Sequence, residues 1–233
     1  MKFYLLSSPI GHLDDVSLNF LQTVSGLNYL AVEDSRVSSK LLQLLQAKFP
    51  KYRLWPKELI SVAKEKERRK SAQILDLLSQ GTSVGYLSDA GTPAIADPGA
   101  YLVDQVRRSH YQIEAIPGPS ALTLALSLCG FEADLTLFLG FFPKKPARTI
   151  ALLKNLSVNN LAKSVNLVFF DSPLRIRKTT QLLFTHFPQA GLFLGRELTK
   201  KFEELLWFQK NSFNPEVLKT KGEYTAVFNL RMV

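Results

Sequence analysis

The sequence predicts an α/β protein of two α/β domains, the first on a doubly wound, mainly parallel sheet and the second on a mixed sheet. Three observations predict it. Over residues 1–116, apolar runs of strand length alternate with helical segments, as repeated strand–helix–strand crossovers require. A Pro-Gly-Pro break at Pro117–Pro119 then interrupts the chain, which places the domains at 1–116 and 117–233. Beyond the break, strand signals crowd toward the end and imply a mixed sheet.

In order, Phe3 to Leu6 reads as a strand. Asp14 or Asp15 is placed to cap a helix that turns Val16, Leu21 and Val24 inward. A second strand is expected at Tyr29 to Val32, and Ser38 as the cap of a helix bearing Leu41, Leu42, Leu44 and Leu45. Tyr52 to Trp55 reads as a third short strand. The mixed-charge run Lys64 to Lys70 forms the solvated face of a helix reaching Leu78. Val84 to Leu87 is a strand, followed by a helix ending at Arg108 and a strand at Gln112 to Ile116. In the second domain, helices are expected over Ser120 to Leu128, Ile150 to Lys163 and Ile176 to Phe187. Strands are expected at Thr136–Phe141, Val165–Phe170, Gly191–Gly195, Glu203–Gln209 and Tyr224–Leu230.

Composition narrows the class. At 46% hydrophobic and 21% charged residues the chain is an ordinary globular protein. One cysteine, Cys129, excludes an internal disulfide framework and points to a reducing, cytoplasmic setting; its apolar neighbours mark it as core. The first residues are too short an apolar run for a signal peptide, and Ala121 to Phe131 falls short of the ~20 residues of a membrane span. No membrane is expected. The net charge of +9 is uneven: residues 1–116 carry 14 basic against 12 acidic groups, residues 117–233 carry 15 against 8. That basic second half suits nucleic acid or a polycarboxylate.

The chain is organised around Val84 to Gly99, a strand feeding a loop of Ser, Asp, Gly, Thr and Pro and then a helix. Open α/β sheets bind ligands at that place. Between Ser71 and Val106 there is no Lys, Arg or His, whereas Asp76, Asp89, Asp97 and Asp104 are acidic. Such a loop repels polyphosphate and suits a cationic or hydroxyl-rich ligand. The plainer alternative is that Asp89 and Asp97 only cap turns and the next helix. Neither a GxGxxG nor a Walker loop occurs, nor a Gly-x-Ser-x-Gly elbow. His12, His110 and His186 lack metal-ligand spacing, so no metal is expected. Four polar loops each follow an apolar strand: Ser8 to Leu13, Glu33 to Arg36, Ser88 to Pro93, and Pro117 to Ser120. In a parallel sheet all four leave the carboxyl edge and converge on one cleft.

These segments, with Gly195 to Lys200, Phe138 to Lys145 and Phe169 to Arg175, resemble the tetrapyrrole-methylase class of S-adenosylmethionine-dependent methyltransferases. Within it they are most similar to the bacterial small-subunit ribosomal RNA 2′-O-ribose methyltransferases. The resemblance spans nearly the whole chain in order. It departs from that branch before the third helix, where a segment of the Tyr-His-Glu-His-Asn type is replaced by Trp55 to Glu67, without His.

The resemblance implies two α/β domains with the methyl donor in the cleft between them, usually in a homodimer. By analogy Ser88, Asp89, Gly91 and Thr92 line the donor, with Ser120 and Ala121 opposite and Ile10 and Phe170 as apolar walls. The acceptor needs its proton removed, so a carboxylate base is expected. Asp34 and Glu33 in the first domain and Glu197 in the second are the candidates; the plainer alternatives are a helix-start pair at Glu33–Asp34 and an ion pair at Arg196–Glu197. Acceptor contacts are expected from Glu33, Arg36, Lys144, Lys145, Arg148, Arg175 and Arg196. Many separated cations in the second half favour RNA or the ribosomal small subunit as partner. A small acidic molecule such as a tetrapyrrole, or a silent RNA-binding relative, is the alternative.

Overall fold

The computed structural model describes residues 1–62, 67–158 and 164–231. The chain divides into two compact units, Met1–Ser120 and Ala121–Val233. Pro117–Ser120 stay with the first unit, where Gly118 lies against Ser7.

The first unit runs β1 (Lys2–Leu6), α1 (Leu18–Gly26), β2 (Tyr29–Val32), α2 (Ser35–Lys48), β3 (Glu58–Ser61), α3 (Glu67–Ser79), β4 (Val84–Leu87), α4 (Ala100–Arg108) and β5 (Gln112–Ile116). Its sheet is parallel throughout, in the order β3-β2-β4-β1-β5. Alternate strand residues feed two cores. Leu6, Leu30, Val32, Leu87 and Ile116 pack under α1 and α2 through Phe20, Leu21, Val24, Leu42 and Leu45. Phe3, Ala31, Ile60, Val84 and Tyr86 pack on the other face under α3 and α4 through Ile74, Leu78, Leu102 and Val106. Helices on both faces make the sheet doubly wound, with every strand's carboxyl end at one edge.

Three local expectations are corrected. Asp14 and Asp15 form a single 3₁₀ turn, and Ser17 caps α1 by accepting from the Phe20 N–H at 3.0 Å. The cap of α2 is Asp34, not Ser38, which is buried a turn inside the helix with its Oγ unpartnered. Tyr52 to Trp55 is no strand, because the Leu54 and Trp55 N–H groups donate to Gln46 Oε1 (2.7 and 3.1 Å) instead of to a ladder; the third strand is Glu58–Ser61. Lys64 to Lys66 of the mixed-charge run lie outside the described residues.

The second unit comprises α5 (Ala121–Cys129), β6 (Leu135–Phe141), α6 (Ala147–Val158), β7 (Ser164–Asp171), α7 (Ile176–His186), β8 (Gly191–Arg196), β9 (Glu204–Gln209) and β10 (Tyr224–Arg231). Its sheet, β6-β7-β10-β8-β9, pairs β6 with β7 in parallel and the rest antiparallel, which is the mixed sheet expected. Leu153, Leu183 and Phe184 cover one face over Leu167, Phe169, Leu192, Leu194 and Phe228, while α5 lies over β7, β8 and β10. Residues 159–163 of the helix expected over Ile150–Lys163 lie outside the described residues. Among the described residues no helix is long and apolar enough to cross a membrane, and no cluster of His, Cys, Asp or Glu could hold a metal.

Candidate functional site

At the carboxyl edge of the first sheet, β1 and β4 are neighbours, so the loops they feed run side by side. They are laced together: the Ser8 N–H donates to the Gly91 carbonyl (2.9 Å) and the Gly91 N–H to the Ser8 carbonyl (3.2 Å). Ser8 Oγ donates to the Ser88 carbonyl at 3.2 Å, and Ser88 Oγ to the Gly91 carbonyl at 2.9 Å. Both serines are buried, so their hydroxyls serve the loop. Gly91 has φ +81°, and a Cβ there would stand 3.2 Å from Ile10 Cγ2 and 3.6 Å from the Pro119 carbonyl. Only glycine suits that position, where loops from β1, β4 and β5 meet.

The loop after β2 joins them through the Asp34 N–H, which donates to Asp89 Oδ1 at 3.3 Å. Its two carboxylates differ sharply. Asp34 caps α2 and pairs with Arg36, whose Nη2 lies 2.7 Å from Asp34 Oδ2; those contacts hold its carboxyl down at about 2. Glu33 is pushed up to about 7, by burial first and then by Asp97, Asp89 and Asp34. Burial also raises Asp89, which the Asp34 N–H partly offsets. The phenol of Tyr86, buried below the cluster and donating to the Pro98 carbonyl at 2.6 Å, is raised by burial first and then by Glu33, Glu67, Asp97 and Asp89.

Asp97 does not cap α4, whose N-cap residue is Gly99. Glu67 of α3 supplies the acceptor instead, taking the Gly99 and Leu102 N–H groups at 3.0 and 3.2 Å. Between Gly91 and Gly99, Ala94 and Ala96 sit at φ 63° and 66°, each costing on the order of 1 kcal/mol that the surrounding lacing must offset. The first unit thus brings Ile10, Glu33, Asp34, Ser88, Asp89 and Gly91 together, with half-buried Thr92 on the same loop. Ser120 ends the unit, while Ala121 and Phe170 belong to the second, where Phe170 makes edge contacts with Phe138 and Phe141.

In the second unit several expected site residues turn out to be structural. Arg196 is 5% exposed, and its guanidinium is spent on Glu204 Oε2 (2.7 Å) and the carbonyls of Lys221 and Phe202, so no phosphate can reach it. Glu197 accepts from the Glu223 N–H at 2.8 Å and from Lys200 Nζ at 3.3 Å, which keep its carboxyl low against burial and make it a poor base. Arg175 is tied to buried Asp171 at 3.0 Å and to the Phe142 carbonyl. Lys144, Lys145 and Arg148 are exposed around the start of α6. The sequence offers Glu33 beside Asp34 as a candidate base and as an acceptor contact without separating the two, and it does not point to Glu67. The sequence signal for Glu33 is its place between an apolar strand and Asp34, while the influence of Asp89 and Asp97 appears only in the fold; Glu67, set within a charge run, gives none.

A family model described as Tetrapyrrole (Corrin/Porphyrin) Methylases matches residues 2–208. A protein of Thermotoga maritima named ribosomal RNA small subunit methyltransferase I is 34% identical, over 98% of this chain and 98% of its own. One of the same name from Mycoplasma pneumoniae is 35% identical, over 97% of this chain and 78% of its own. Among solved structures, uroporphyrin-III C-methyltransferase from Thermus thermophilus complexed with S-adenyl homocysteine superposes with a TM-score of 0.65 at 16% identity, covering 98% of this chain and 97% of that one. Diphthine synthase does so at 0.67 and 11% identity, covering 97% and 89%. At those identities the likeness is one of fold.

Proposed function

The chain belongs to the tetrapyrrole (corrin/porphyrin) methylase family, and from that premise we propose that it is an S-adenosylmethionine-dependent methyltransferase acting on a ribose 2′-hydroxyl of small-subunit ribosomal RNA. The observation that carries the acceptor is the near full-length similarity to proteins of that name, at 30–35% identity. The first unit's acidic loops carry the donor. Their chemistry fits it: a carboxylate cluster free of Lys, Arg and His over residues 71–106 complements a sulfonium and an ammonium group. When bound, the donor supplies an electrophilic methyl group.

The chain's own residues do the rest. Asp89, with Asp97 nearby, supplies negative charge in a partly desolvated setting, where it acts more strongly than in water. The Ser8–Gly91 lacing fixes the loop, so little ordering is needed when the donor binds. Glu33 is the base for the acceptor hydroxyl, because a carboxyl titrating at about 7 both accepts a proton and exists ionised at neutral pH. Asp34, its neighbour, is held too acidic by Arg36 for that task and acts as cap and positioner. Exposed Lys144, Lys145 and Arg148, with Arg36 at 89% side-chain exposure, meet RNA phosphates. This reading also takes the working form as a homodimer, as the resemblance implies, in the reducing cytoplasm that the single cysteine suggests.

Asp89→Lys tests the donor assignment. A cation at that position lowers donor affinity by on the order of 1–3 kcal/mol in calorimetry. Unchanged affinity in the folded variant contradicts it.

A further inference from the structure

A second concavity lies wholly within the second unit, at the end of the sheet where β8 begins and β9 ends. It is a cleft of about 260 Å³ lined by Phe131, Gln189, Trp207, Phe208, Gln209 and Asn229, with Gly191 and Ser212. Among the described residues, no ionisable side chain lines it. We propose that it takes one unpaired nucleobase, stacked on Trp207, a reading that rests on the RNA acceptor proposed above.

The lining is built for a flat, neutral ligand. Trp207 is held on one side by Phe193, ring centroids 5.1 Å apart, and by its Nε1–H donating to the Cys129 carbonyl at 3.1 Å. Half its surface nevertheless stays open. Such a ring is an ordered platform rather than a loose side chain, so stacking on it costs little entropy. Phe131 lies over Gly191: a Cβ at residue 191 would come within 3.1 Å of its ring, so glycine there makes room for the second aromatic. The segment is pinned by the buried pair Asn166 and Asn229, facing each other across β7 and β10. Asn166 Nδ2 donates to the Phe131 carbonyl at 3.1 Å and Asn229 Nδ2 to the Glu132 carbonyl at 3.2 Å.

Asn229 Nδ2 also donates to Asn166 Oδ1 at 2.9 Å, so its amide nitrogen is spent and its oxygen is what it offers the cleft. Gln189 and Gln209, both exposed, add amide donors and acceptors. Aromatic faces with amide edges and no charge are how proteins hold splayed-out bases, whereas phosphates are met by cations. The volume falls below the ~300–1,000 Å³ of drug-sized sites and suits a single ring system.

The chain has two tryptophans, so in Trp55→Phe protein the emission reports Trp207 alone. Two end-labelled probes are titrated at low salt, a short single-stranded oligoribonucleotide and an abasic one of equal length. Anisotropy reads binding and emission reads stacking. The expected result is saturable quenching by the base-bearing probe and none by the abasic one. Trp207→Ala then weakens binding about ten-fold while Trp207→Phe retains it. Anisotropy showing that both probes bind while Trp207 emission stays constant overturns the cleft and leaves the RNA reading standing. Binding of neither probe overturns both. Emission that changes with protein concentration alone, with sedimentation showing association, assigns the cleft to a second copy and overturns the proposal.

Discussion

Glu33 and Asp34 are adjacent carboxylates in opposite environments, and that difference is testable. Asp34's folded value of about 2 lies below its unfolded value near 3.9, so its contribution to stability is complete above about pH 4 and fades as pH falls toward 2. Glu33 runs the other way: its folded value of about 7 lies above the unfolded one near 4.3. Its ionisation therefore opposes folding, and stability declines as pH rises from about 4 through 7. A base must be ionised, so single-turnover methyl transfer rises with pH through about 7. Glu33→Gln lowers that rate by roughly 10²–10⁴ and abolishes the rise, while Asp34→Asn keeps it. Stopped single-turnover assays across pH 5–9 check this; a wild-type rate in Glu33→Gln returns the role of base to another group.

At the scale of elements, the loop that carries Asp89 is held at both ends by side chains from elsewhere in its unit. Ser8 laces its start and Glu67 caps the helix at its end. Glu67→Ala leaves two N–H groups at the start of α4 without an acceptor, costing ~1 kcal/mol in urea unfolding. Hydrogen exchange over residues 91–102 speeds up with it; unchanged exchange removes Glu67 from the support of the site. The same helix ends mark the limit of what the sequence discloses. Strands such as Val84–Leu87 and Gln112–Ile116 are legible to the residue, the first as a short apolar run and the second as an alternation of polar and apolar residues, each bounded by turn residues. Caps are not: Ser17, Asp34 and Glu67 win over Asp15, Ser38 and Asp97 through contacts that only the folded chain defines. Tyr52–Trp55 carries β-forming residues, yet Gln46 claims the N–H groups of Leu54 and Trp55 and Ser25 that of Arg53. The site's loops are legible as loops, but the division of roles between Glu33 and Asp34 is not, since it depends on which neighbour is a cation.

For the molecule as a whole, charge divides the work. The first unit holds an acidic cluster and the chain's second half carries 15 basic against 8 acidic residues. Some of those bases are committed to partners within the fold, Arg196 buried on Glu204 and half-buried Arg175 on Asp171, so the surface available to RNA is smaller than the count suggests. Neutralising Lys144, Lys145 and Arg148 together reduces the slope of log affinity against log salt by about one for each phosphate no longer engaged, with donor affinity unchanged. A titration with the wild-type slope excludes those three from the phosphate-binding surface. The central claim concerns the acceptor, and one measurement tests it most directly. Protein and methyl-labelled S-adenosylmethionine are incubated separately with small ribosomal subunits, naked small-subunit RNA and a tetrapyrrole, and the labelled product is digested to its components. The account predicts label in small-subunit RNA, recovered as a 2′-O-methylated nucleoside; label in the tetrapyrrole with none in RNA contradicts it.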